Sequence, residues 1–385
     1  DEALRQFCGE LARSPWIAFD TEFIAERTYR PALCLVQVAT PGGLAIIDPL
    51  GIADMKPFWE VVAEPGHETI VHAGRVELEF CLHATGRRPT GLLDVQIAAG
   101  LVGIEYPAGY GTLVNKVLGE SPKNAETRTD WRRRPLSDRQ IQYALDDVRY
   151  LPSIRDRLRA RLAELGRTAW LEEEICGWQS EVEQSISQER WRRVSGNSGL
   201  DRRSLAIVRE LWRWRDAEAQ RRDCPPRRVL RDDLIIELAR RQSSEVKRIQ
   251  AVRGMERGDL KRQLPRLAEC IERALTLAER ECPAPARRES TPRLSVLGQF
   301  LFSALGSICR QRELAPGLVG TPTDVRELIA FRTGERAKEP PLLARGWRAE
   351  IVGHVFDDLL AGKLSIRIAD PTSEYPLVFE PFQQS

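Results

Sequence analysis

The sequence lacks any long hydrophobic run and any leader-like start. No stretch approaches the ~20 uncharged apolar residues that a membrane span needs, and the first residues show no basic, apolar and small-residue signal pattern. These absences predict a cytoplasmic protein without a membrane partner. The chain opens at Asp1 without a methionine, close to an apolar run typical of a central strand, so we expect that an N-terminal piece precedes it.

The sequence also lacks the patterns of a zinc or disulfide protein. Its eight cysteines form no CxxC pair, and its four histidines lie at no zinc-like spacing from them. The cysteines are therefore predicted to be reduced and mostly buried. We also expect no small-molecule organic cofactor.

The composition is that of an ordinary globular protein of two or three domains. The chain has 385 residues, of which 42% are hydrophobic and 30% are charged, and its formal net charge is only +2. So small an excess predicts no global attraction to nucleic acid. Arginines are nevertheless clustered in two segments, Arg128, Arg132, Arg133, Arg134 and Arg139 in the first and Arg221, Arg222, Arg227, Arg228 and Arg231 in the second. Each cluster fits a phosphate-neutralising surface and a merely solvated surface equally well.

The order of apolar segments divides the chain into an α/β half and a helical half. Short apolar runs bounded by Pro, Gly or Asp predict strands at 16–19, 32–39, 44–47 and 69–72. Beyond Arg167 the strand signals nearly vanish and helical patterns predominate. The predicted divisions are an α/β domain at 1–167, a helical connector at 168–200, two similar helical units at 201–282 and 293–373, a Pro-rich linker at 283–292 and a tail at 374–385.

Two acids end the first predicted strand. Asp20 and Glu22 stand at i and i+2, so both carboxylates leave the same face of the sheet. Two like charges at the end of an apolar strand are costly unless cations neutralise them, and Mg²⁺ or Mn²⁺ with oxygen ligands does so. A lone Asp-x-Glu is common, however, and by itself it favours the simpler interpretation of a strand end that turns polar.

A second candidate pair lies further along the chain. Residues 142–151 predict a helix that places Tyr143 and Asp147 at i and i+4 on one face, which pairs a phenol with a carboxylate. Without context, a half-buried tyrosine above a surface acid is the simpler explanation. Between the two pairs, the segment from His72 through Gly74 to Glu77 predicts a strand end, a glycine and a helix start, where a fourth acid could enter the site.

Taken together, these segments resemble the three exonuclease motifs of the DEDD superfamily and, within it, the ribonuclease D family. The similarity is carried by the strings DTEF, RTYRPALCLVQVA, IIDPLGI, HAGR, RTDWRRRPL and YALDDVRYL, which follow in order between Asp1 and Leu151. The helical units resemble HRDC domains, through residues 211–215 and 225–238 in the first and 342–362 in the second. The resemblance implies an α/β ribonuclease H-like exonuclease domain, a mixed sheet flanked by helices, followed by two all-α HRDC-like domains.

The resemblance also implies a metal site. Asp20 and Glu22 would be ligands of the first motif and Tyr143 and Asp147 the pair of the third motif, with two divalent ions, Mg²⁺ or Mn²⁺, held between them. Because Tyr143 stands where some members have a histidine, the chain is of the tyrosine type.

The second motif departs from the family pattern, since Glu77 stands where an aspartate is usual. A glutamate carboxylate sits ~1.5 Å farther from the backbone, and a misplacement of ~1 Å in a catalytic site can cost ~100-fold in rate. We expect Glu77 to be a metal ligand despite its length, and a solvated helix residue is the alternative.

The activity implied by the resemblance is that of a 3′-to-5′ exoribonuclease, in which water attacks the last phosphodiester and a nucleoside 5′-monophosphate leaves. The implied partner is RNA with a free 3′ end, above all precursors of transfer RNA and other stable RNAs. Phe23, His72, Arg128, Arg132 and Arg133 are candidates for RNA contact by stacking or phosphate binding. Phe23 fits a core position equally well, and a capping or satisfied buried role is the commoner outcome for a histidine such as His72.

Two other functions remain open at this point. A 3′-to-5′ DNA exonuclease would use the same carboxylates, although the paired HRDC-like domains argue against it. A nucleic-acid-binding protein with an impaired nuclease site would follow if Glu77 cannot replace the aspartate. We also expect the residues up to about Leu200 to fold as a separate metal-dependent nuclease, because that part of the chain carries every candidate ligand.

Overall fold

The structure, a computed structural model, describes residues 1–121, 129–285, 292–334 and 339–382. For residues 292–295 it describes the backbone only. Packing divides the chain into two compact units. The first comprises Asp1–Thr21, Leu35–Glu183 and Ser290–Ser385, and the second comprises Glu22–Cys34 and Gln184–Glu289. Because these packing units are not continuous in the chain, the domain boundaries proposed from the sequence stay predictions.

A five-stranded mixed sheet forms the centre of the first unit. Its strands are β1 (Trp16–Ile24), β2 (Ala32–Thr40), β3 (Gly43–Ile47), β4 (Glu68–Val71) and β5 (Leu92–Asp94). They lie in the order β3-β2-β1-β4-β5, with β4 parallel to both β1 and β5, and with β2 antiparallel to β3. Parallel strands end at a common edge of the sheet, so the residues that follow β4 and β5 lie at the edge where Asp20 follows three consecutive buried residues of β1.

Helices cover both faces of this sheet, as the consecutive buried residues of β1 require. They are α1 (Glu2–Leu11), α2 (Lys56–Ala63), α3 (Arg75–Thr85), α4 (Val95–Gly100), α5 (Tyr110–Leu113), α6 (Asp138–Arg149), α7 (Leu151–Glu164) and α8 (Thr168–Ser187). On one face, Phe19 makes edge-to-face contacts with Phe58 and Trp59 of α2, at centroid distances of 5.6 and 5.9 Å. On the other face, Ala18 belongs to the same core as Val148 of α6. The predicted α/β sheet with flanking helices is confirmed.

The C-terminal helices contribute to the hydrophobic core that contains Ala18 and Val148. They are α15 (Pro292–Gln311), α16 (Pro316–Val319), α17 (Pro322–Arg332), α18 (Gly346–Arg348) and α19 (His354–Leu360). A single hydrophobic cluster joins Ala18 of the sheet and Leu158 of α7 to Leu305 and Trp347 of the C-terminal helices. Exposing so much apolar surface is unfavourable, so the N-terminal α/β part and the C-terminal helices stabilise each other.

Two buried arginines fasten the C-terminal helices to the α/β part. Arg348 forms an ion pair with Glu174 of α8, in which Nη2 lies 2.8 Å from Oε2. Arg167 donates to the carbonyl oxygens of Leu101 and Glu313, both at 2.7 Å. A buried guanidinium is tolerated only when it is fully hydrogen-bonded, and each of these obtains partners from both parts. The packing therefore argues against the expected independent folding of the N-terminal nuclease.

A short hairpin corrects the expectation that only helices and a tail follow residue 167. Strand β6 (Leu364–Ile368) pairs in antiparallel register with β7 (Leu377–Pro381). The alternation of Leu364, Ile366 and Ile368 with polar residues is a strand signal. It covers only five residues and neither strand is fully buried, which makes the signal weak in the sequence.

The second unit is mainly helical. Its helices are α9 (Arg202–Arg221), α10 (Pro226–Val229), α11 (Asp232–Arg241), α12 (Val246–Gln250), α13 (Gly258–Lys261) and α14 (Leu264–Thr276). They enclose a hydrophobic core that includes Leu211 and Ile235. The segment Glu22–Cys34 belongs to this unit, and its Tyr29 donates from the hydroxyl to Asp216 at 2.9 Å and from the backbone amide to Asp223 at 3.1 Å.

The cysteines have the state predicted for them. All eight are free thiols and six of them are buried, while Cys176 is exposed and Cys224 is partly exposed. Within the described ranges, no helix combines the length and the apolar character needed to cross a membrane.

Candidate active site

Strand β1 carries Asp20 and Glu22 on one face and Thr21 on the other. Successive side chains of a strand alternate, so Asp20 shares the face of Ala18, which is the face that α6 covers. Thr21 is buried and shares the face of Phe19. Asp20 and Glu22 are each partly buried. The predicted strand geometry of the two acids is confirmed, while their role as ligands stays a prediction.

Helix α6 places Tyr143 and Asp147 one turn apart. It begins at a capping box, in which the side chains of Ser137 and Gln140 each accept from the other's backbone amide. The Tyr143 hydroxyl donates to the Asp147 carboxylate. Burial raises the pKa of Asp147 to about 7, the hydrogen bond from Tyr143 opposes that rise, and the charge of Asp146 adds to it.

The neighbouring Asp146 has a different environment. Its carboxylate accepts from Arg149 at 2.9 Å and from Gln142 at 2.8 Å, so its charge is compensated within the helix. Two adjacent aspartates look alike in the sequence, but the structure gives the ion pair to Asp146 and the hydroxyl partner to Asp147. The predicted catalytic acid is thus the one whose charge has the weaker compensation.

Glu77 is buried near the start of α3, with only 5% of its surface exposed. One of its carboxylate oxygens accepts a hydrogen bond from the Thr21 hydroxyl. Burial raises the pKa of Glu77 to about 7, although the bond from Thr21 lowers it. The alternative of a solvated helix residue is therefore wrong. Since Thr21 points to the sheet face opposite Asp20, Glu77 approaches this edge from the side of the sheet opposite α6.

Asp94, a residue without a predicted role, holds the turn before α3. Its buried carboxylate accepts from the backbone amides of Ala73 at 3.1 Å and Gly74 at 2.9 Å. Ala73 has a left-handed φ of 52°, and a Cβ on Gly74 would lie 2.5 Å from the Val71 side chain. Asp94 thereby fixes the turn that positions Glu77. An aspartate between a short strand and a helix is an N-cap signal, and it could have identified this residue.

Tyr110 is a second residue that the sequence did not reveal. Its hydroxyl donates to the backbone oxygen of Asp146 at 2.7 Å, which joins α5 to α6. Burial raises the pKa of Tyr110, and the negative charges of Asp147 and Asp20 contribute to that rise. The acids of α6 and β1 therefore lie within electrostatic range of one hydroxyl. No pattern around Tyr110 marks it in the sequence.

The structure describes two of the predicted RNA-contacting residues outside the arginine segment, His72 and Phe23. The ring of His72 bonds through Nε2 to the carbonyl oxygen of Ala108 at 2.9 Å, which is the satisfied role expected as the commoner outcome. Phe23 is partly buried on β1, directly after Glu22. Arg128 lies outside the described residues.

The arginines before α6 divide into exposed and structural side chains. Arg132 and Arg133 are exposed, and Arg132 pairs with Asp130 at 3.3 Å. Arg134 instead binds Asp48, the residue after β3, through two bonds, of 2.6 Å from Nε and 2.7 Å from Nη2. That bidentate pair holds the pKa of Asp48 below its usual range. Arg132 and Arg133 remain candidates for phosphate contact, whereas Arg134 anchors the segment.

The acids suit a hard divalent cation through their chemistry and not through preformed geometry. Among the residues that the structure describes, no three acidic, histidine or cysteine side chains are close enough together to form a ready-made metal centre. Carboxylate oxygens are nevertheless the ligands that Mg²⁺ and Mn²⁺ prefer. Burial is the largest cause of the raised pKa values of Glu77 and Asp147, and a bound cation would favour their ionised forms.

The fold and these motifs define a 3′-to-5′ exonuclease that carries an HRDC domain. Residues 1–163 match a family model described as a 3′-5′ exonuclease, and residues 204–271 match the HRDC domain. The second match confirms the first of the two predicted HRDC-like domains, and the other stays a prediction.

The particular family follows from comparison with whole proteins. The chain is 34% identical over 372 residues to ribonuclease D of Granulibacter bethesdensis, which covers 95% of this chain and 93% of that protein. It is 35% identical over 379 residues to ribonuclease D of Zymomonas mobilis, with coverage of 95% and 94%. The crystal structure of Escherichia coli RNase D matches with a TM-score of 0.81 at 28% identity, over 94% of this chain and 97% of that one. The chain belongs to the ribonuclease D family, and it is an exoribonuclease.

The buried acids predict how the stability of the metal-free protein depends on pH. Because the folded state holds the pKa of Glu77 near 7, against an ordinary value of 4.5, folding favours the protonated form. Its contribution to stability is therefore lost as the pH rises through that interval. In the presence of EDTA, Glu77→Gln should gain stability over the wild type as the pH rises from 4.5 to 8, on the order of 3 kcal/mol.

Chemical denaturation across this pH range measures the effect. The matched control is Glu79→Gln, which removes a charge from the same helix but from a partly buried glutamate that is ion-paired with Arg75 at 3.3 Å. If the free energy of unfolding depended on pH in the same way for the wild type and Glu77→Gln, the raised pKa of Glu77 in the folded state would be contradicted.

Proposed function

We propose that this exoribonuclease removes nucleotides one at a time from the 3′ end of RNA as nucleoside 5′-monophosphates, and that it does so with divalent metal ions. The observation that carries the proposal is that two acids from different elements, Asp20 on β1 and Asp147 on α6, both lie within electrostatic range of the Tyr110 hydroxyl. Burial disfavours the ionised form of a carboxylic acid, and a bound cation stabilises that form.

The metal ligands we propose are Asp20, Glu22, Glu77 and Asp147, which would hold two Mg²⁺ or Mn²⁺ ions. Bound divalent ions would lower the pKa of the attacking water and stabilise the departing 3′ oxygen. To act as a metal ligand, the Glu77 carboxylate would have to bind the ion while it gives up or weakens its hydrogen bond with Thr21. Asp94 supports it indirectly, because it fixes the turn from which α3 begins.

Tyr143 has a positioning role in this proposal. A phenol with an ordinary pKa of ~10 stays protonated at neutral pH, so its hydroxyl donates a hydrogen bond and does not abstract a proton. It donates to Asp147 in the structure, which keeps it beside the acid where the attacking water would be aligned.

For the substrate, we propose precursors of transfer RNA and other stable RNAs. The E. coli relative is described as an exoribonuclease involved in structured RNA processing, and the exposed Arg132 and Arg133 supply positive charge close to α6. Phe23 beside the β1 acids, His72 and Arg128 complete the proposed contacts. The HRDC domain would hold structured RNA, and a protein-binding role for it is the alternative. A cytoplasmic location stays a prediction.

One assay tests the function. Oligonucleotides of RNA and of DNA with the same sequence and a free 3′ hydroxyl are incubated with Mg²⁺, with Mn²⁺ or with EDTA, and the products are separated by chromatography. We expect stepwise release of nucleoside 5′-monophosphates from RNA, none with EDTA, and a loss of ~10³-fold or more in Asp20→Asn. Asp138→Asn, which removes an exposed charge from α6, is the matched control and should keep full activity.

The other outcomes of this assay identify the competing functions. Equal or faster shortening of DNA would favour a DNA exonuclease. A folded wild type that binds RNA but releases no nucleotide with either ion would favour a binding protein with an impaired nuclease site. The specific observation in favour of that function is the hydrogen bond between Thr21 and Glu77, which occupies one oxygen of the carboxylate.

Glu77 is tested separately by changing its charge and its length. If Glu77 is a ligand, Glu77→Gln should reduce turnover by ~100-fold or more, a loss of ~2.7 kcal/mol in transition-state stabilisation. Glu77→Asp should retain or raise activity, because it restores the family's usual reach. Turnover is measured with Mg²⁺ and with Mn²⁺, beside Glu79→Gln as the control. Near wild-type turnover by Glu77→Gln under both ions would remove Glu77 from the ligand set.

A further inference from the structure

Gln37 on β2 carries a fully buried side-chain amide. Its surface is 0% exposed, and neither Nε2 nor Oε1 has a hydrogen-bond partner among the residues that the structure describes. A primary amide can donate two hydrogen bonds and accept two, and leaving them unmade in a protein core costs free energy. A hydrophobic residue of similar size would avoid that cost. The presence of a buried amide at this position therefore requires an explanation. A bound water or a role in catalysis would provide it.

The sheet places Gln37 between the two catalytic elements. Strand β2 lies between β1, which carries Asp20, and β3. Gln37 is in register with Ile46 of β3, and α6, which carries Tyr143 and Asp147, packs against β3. The amide is thus one strand away from Asp20 on one side, and its other neighbour is the strand beneath α6.

The alternation of side chains places Gln37 on the catalytic face of the sheet. Gln37 shares a face with Ala39, two residues later on β2. Ala39 belongs to one hydrophobic cluster with Ala18 of β1 and Val148 of α6. Asp20 shares the face of Ala18, again two residues apart. The amide therefore points into the layer between the sheet and α6, the layer from which Asp20 and Asp147 emerge.

Direct contact with RNA is not available to a side chain that is fully buried. Water is the remaining partner of matching chemistry, because it both donates and accepts, and a buried water typically makes about three hydrogen bonds to otherwise unsatisfied polar groups. We propose that Gln37 is a positioning residue of the exonuclease site, which binds an ordered water that links the strand of Asp20 to α6. This inference rests on the proposed function, since it concerns the same acids.

The test uses Gln37→Met, which keeps the length of the side chain and removes both polar atoms. The variant should be about as stable as the wild type, because the amide and the water that it binds are replaced together by an apolar side chain of similar size. Its kcat on RNA should nevertheless fall about tenfold, with KM within about twofold, because the acids lose their alignment while the RNA contacts remain. Leu35→Met is the matched control, since Leu35 is also fully buried on the same face of β2, and its kcat should stay at the wild-type value.

The possible results separate this inference from the proposed function. An inactive wild type would remove the proposed function, whereas an active wild type together with a stable Gln37→Met of unchanged kcat would overturn the role of Gln37 alone. A high-resolution crystal structure of the wild type gives an independent answer if Gln37→Met does not fold. Water bonded to the amide and to a group of β1 or α6 supports the inference, and an amide without water overturns it.

Discussion

The site depends on the free-energy cost of burying carboxylates whose charge is only partly compensated. Several other largely buried acids of the chain have arginine partners: Glu68 with Arg155 and Arg159, Glu174 with Arg348, Glu218 with Arg221 and Arg222, and Asp232 with Arg215. Glu77 and Asp147 receive a hydroxyl instead, from Thr21 and Tyr143. The charges that act on them are mainly those of other acids, Asp94 and Asp146. This contrast between hydroxyl and arginine partners is the basis of the cation site that we propose for Glu77 and Asp147.

The rest of the first unit holds these acids at one edge of the sheet. Asp94 fixes the turn before α3, and Tyr110 joins α5 to the backbone of α6 beside Asp147. The C-terminal helices complete the core beneath α6 and α7. Their attachment through Arg167 and Arg348 makes them part of the framework of the nuclease, so they are more than an appended RNA-binding module.

The sequence predicts those features of the site that lie within one element. Asp20 and Glu22 are two residues apart on a strand, and Tyr143 and Asp147 are four apart on a helix, so local periodicity is sufficient for both pairs. It does not predict the bond between Thr21 and Glu77, because the two residues are 56 positions apart and nothing in either segment specifies the other.

The same distinction holds for the overall fold, where the sequence predicts single elements better than the contacts between them. Short apolar runs and helical patterns predict four of the five strands of the central sheet and most helices, and the three-residue β5 is too short to give such a signal. The core shared by the α/β part and the C-terminal helices was also missed, because an apolar helix face does not identify what covers it. Gln37 is a third case, since only its complete burial shows that its amide needs an explanation.

The central claim is that the acids of β1 and α6 form a cation site, and the stability of the protein with added metal tests it most directly. The melting temperature of metal-free protein should rise as Mn²⁺ or Mg²⁺ is added, by an amount equivalent to about 2.7 kcal/mol when the ion exceeds its dissociation constant a hundredfold. Asp147→Asn should lose most of that rise, while Asp138→Asn should keep it. An equal rise in Asp147→Asn, or no rise in the wild type with either ion, would contradict the account.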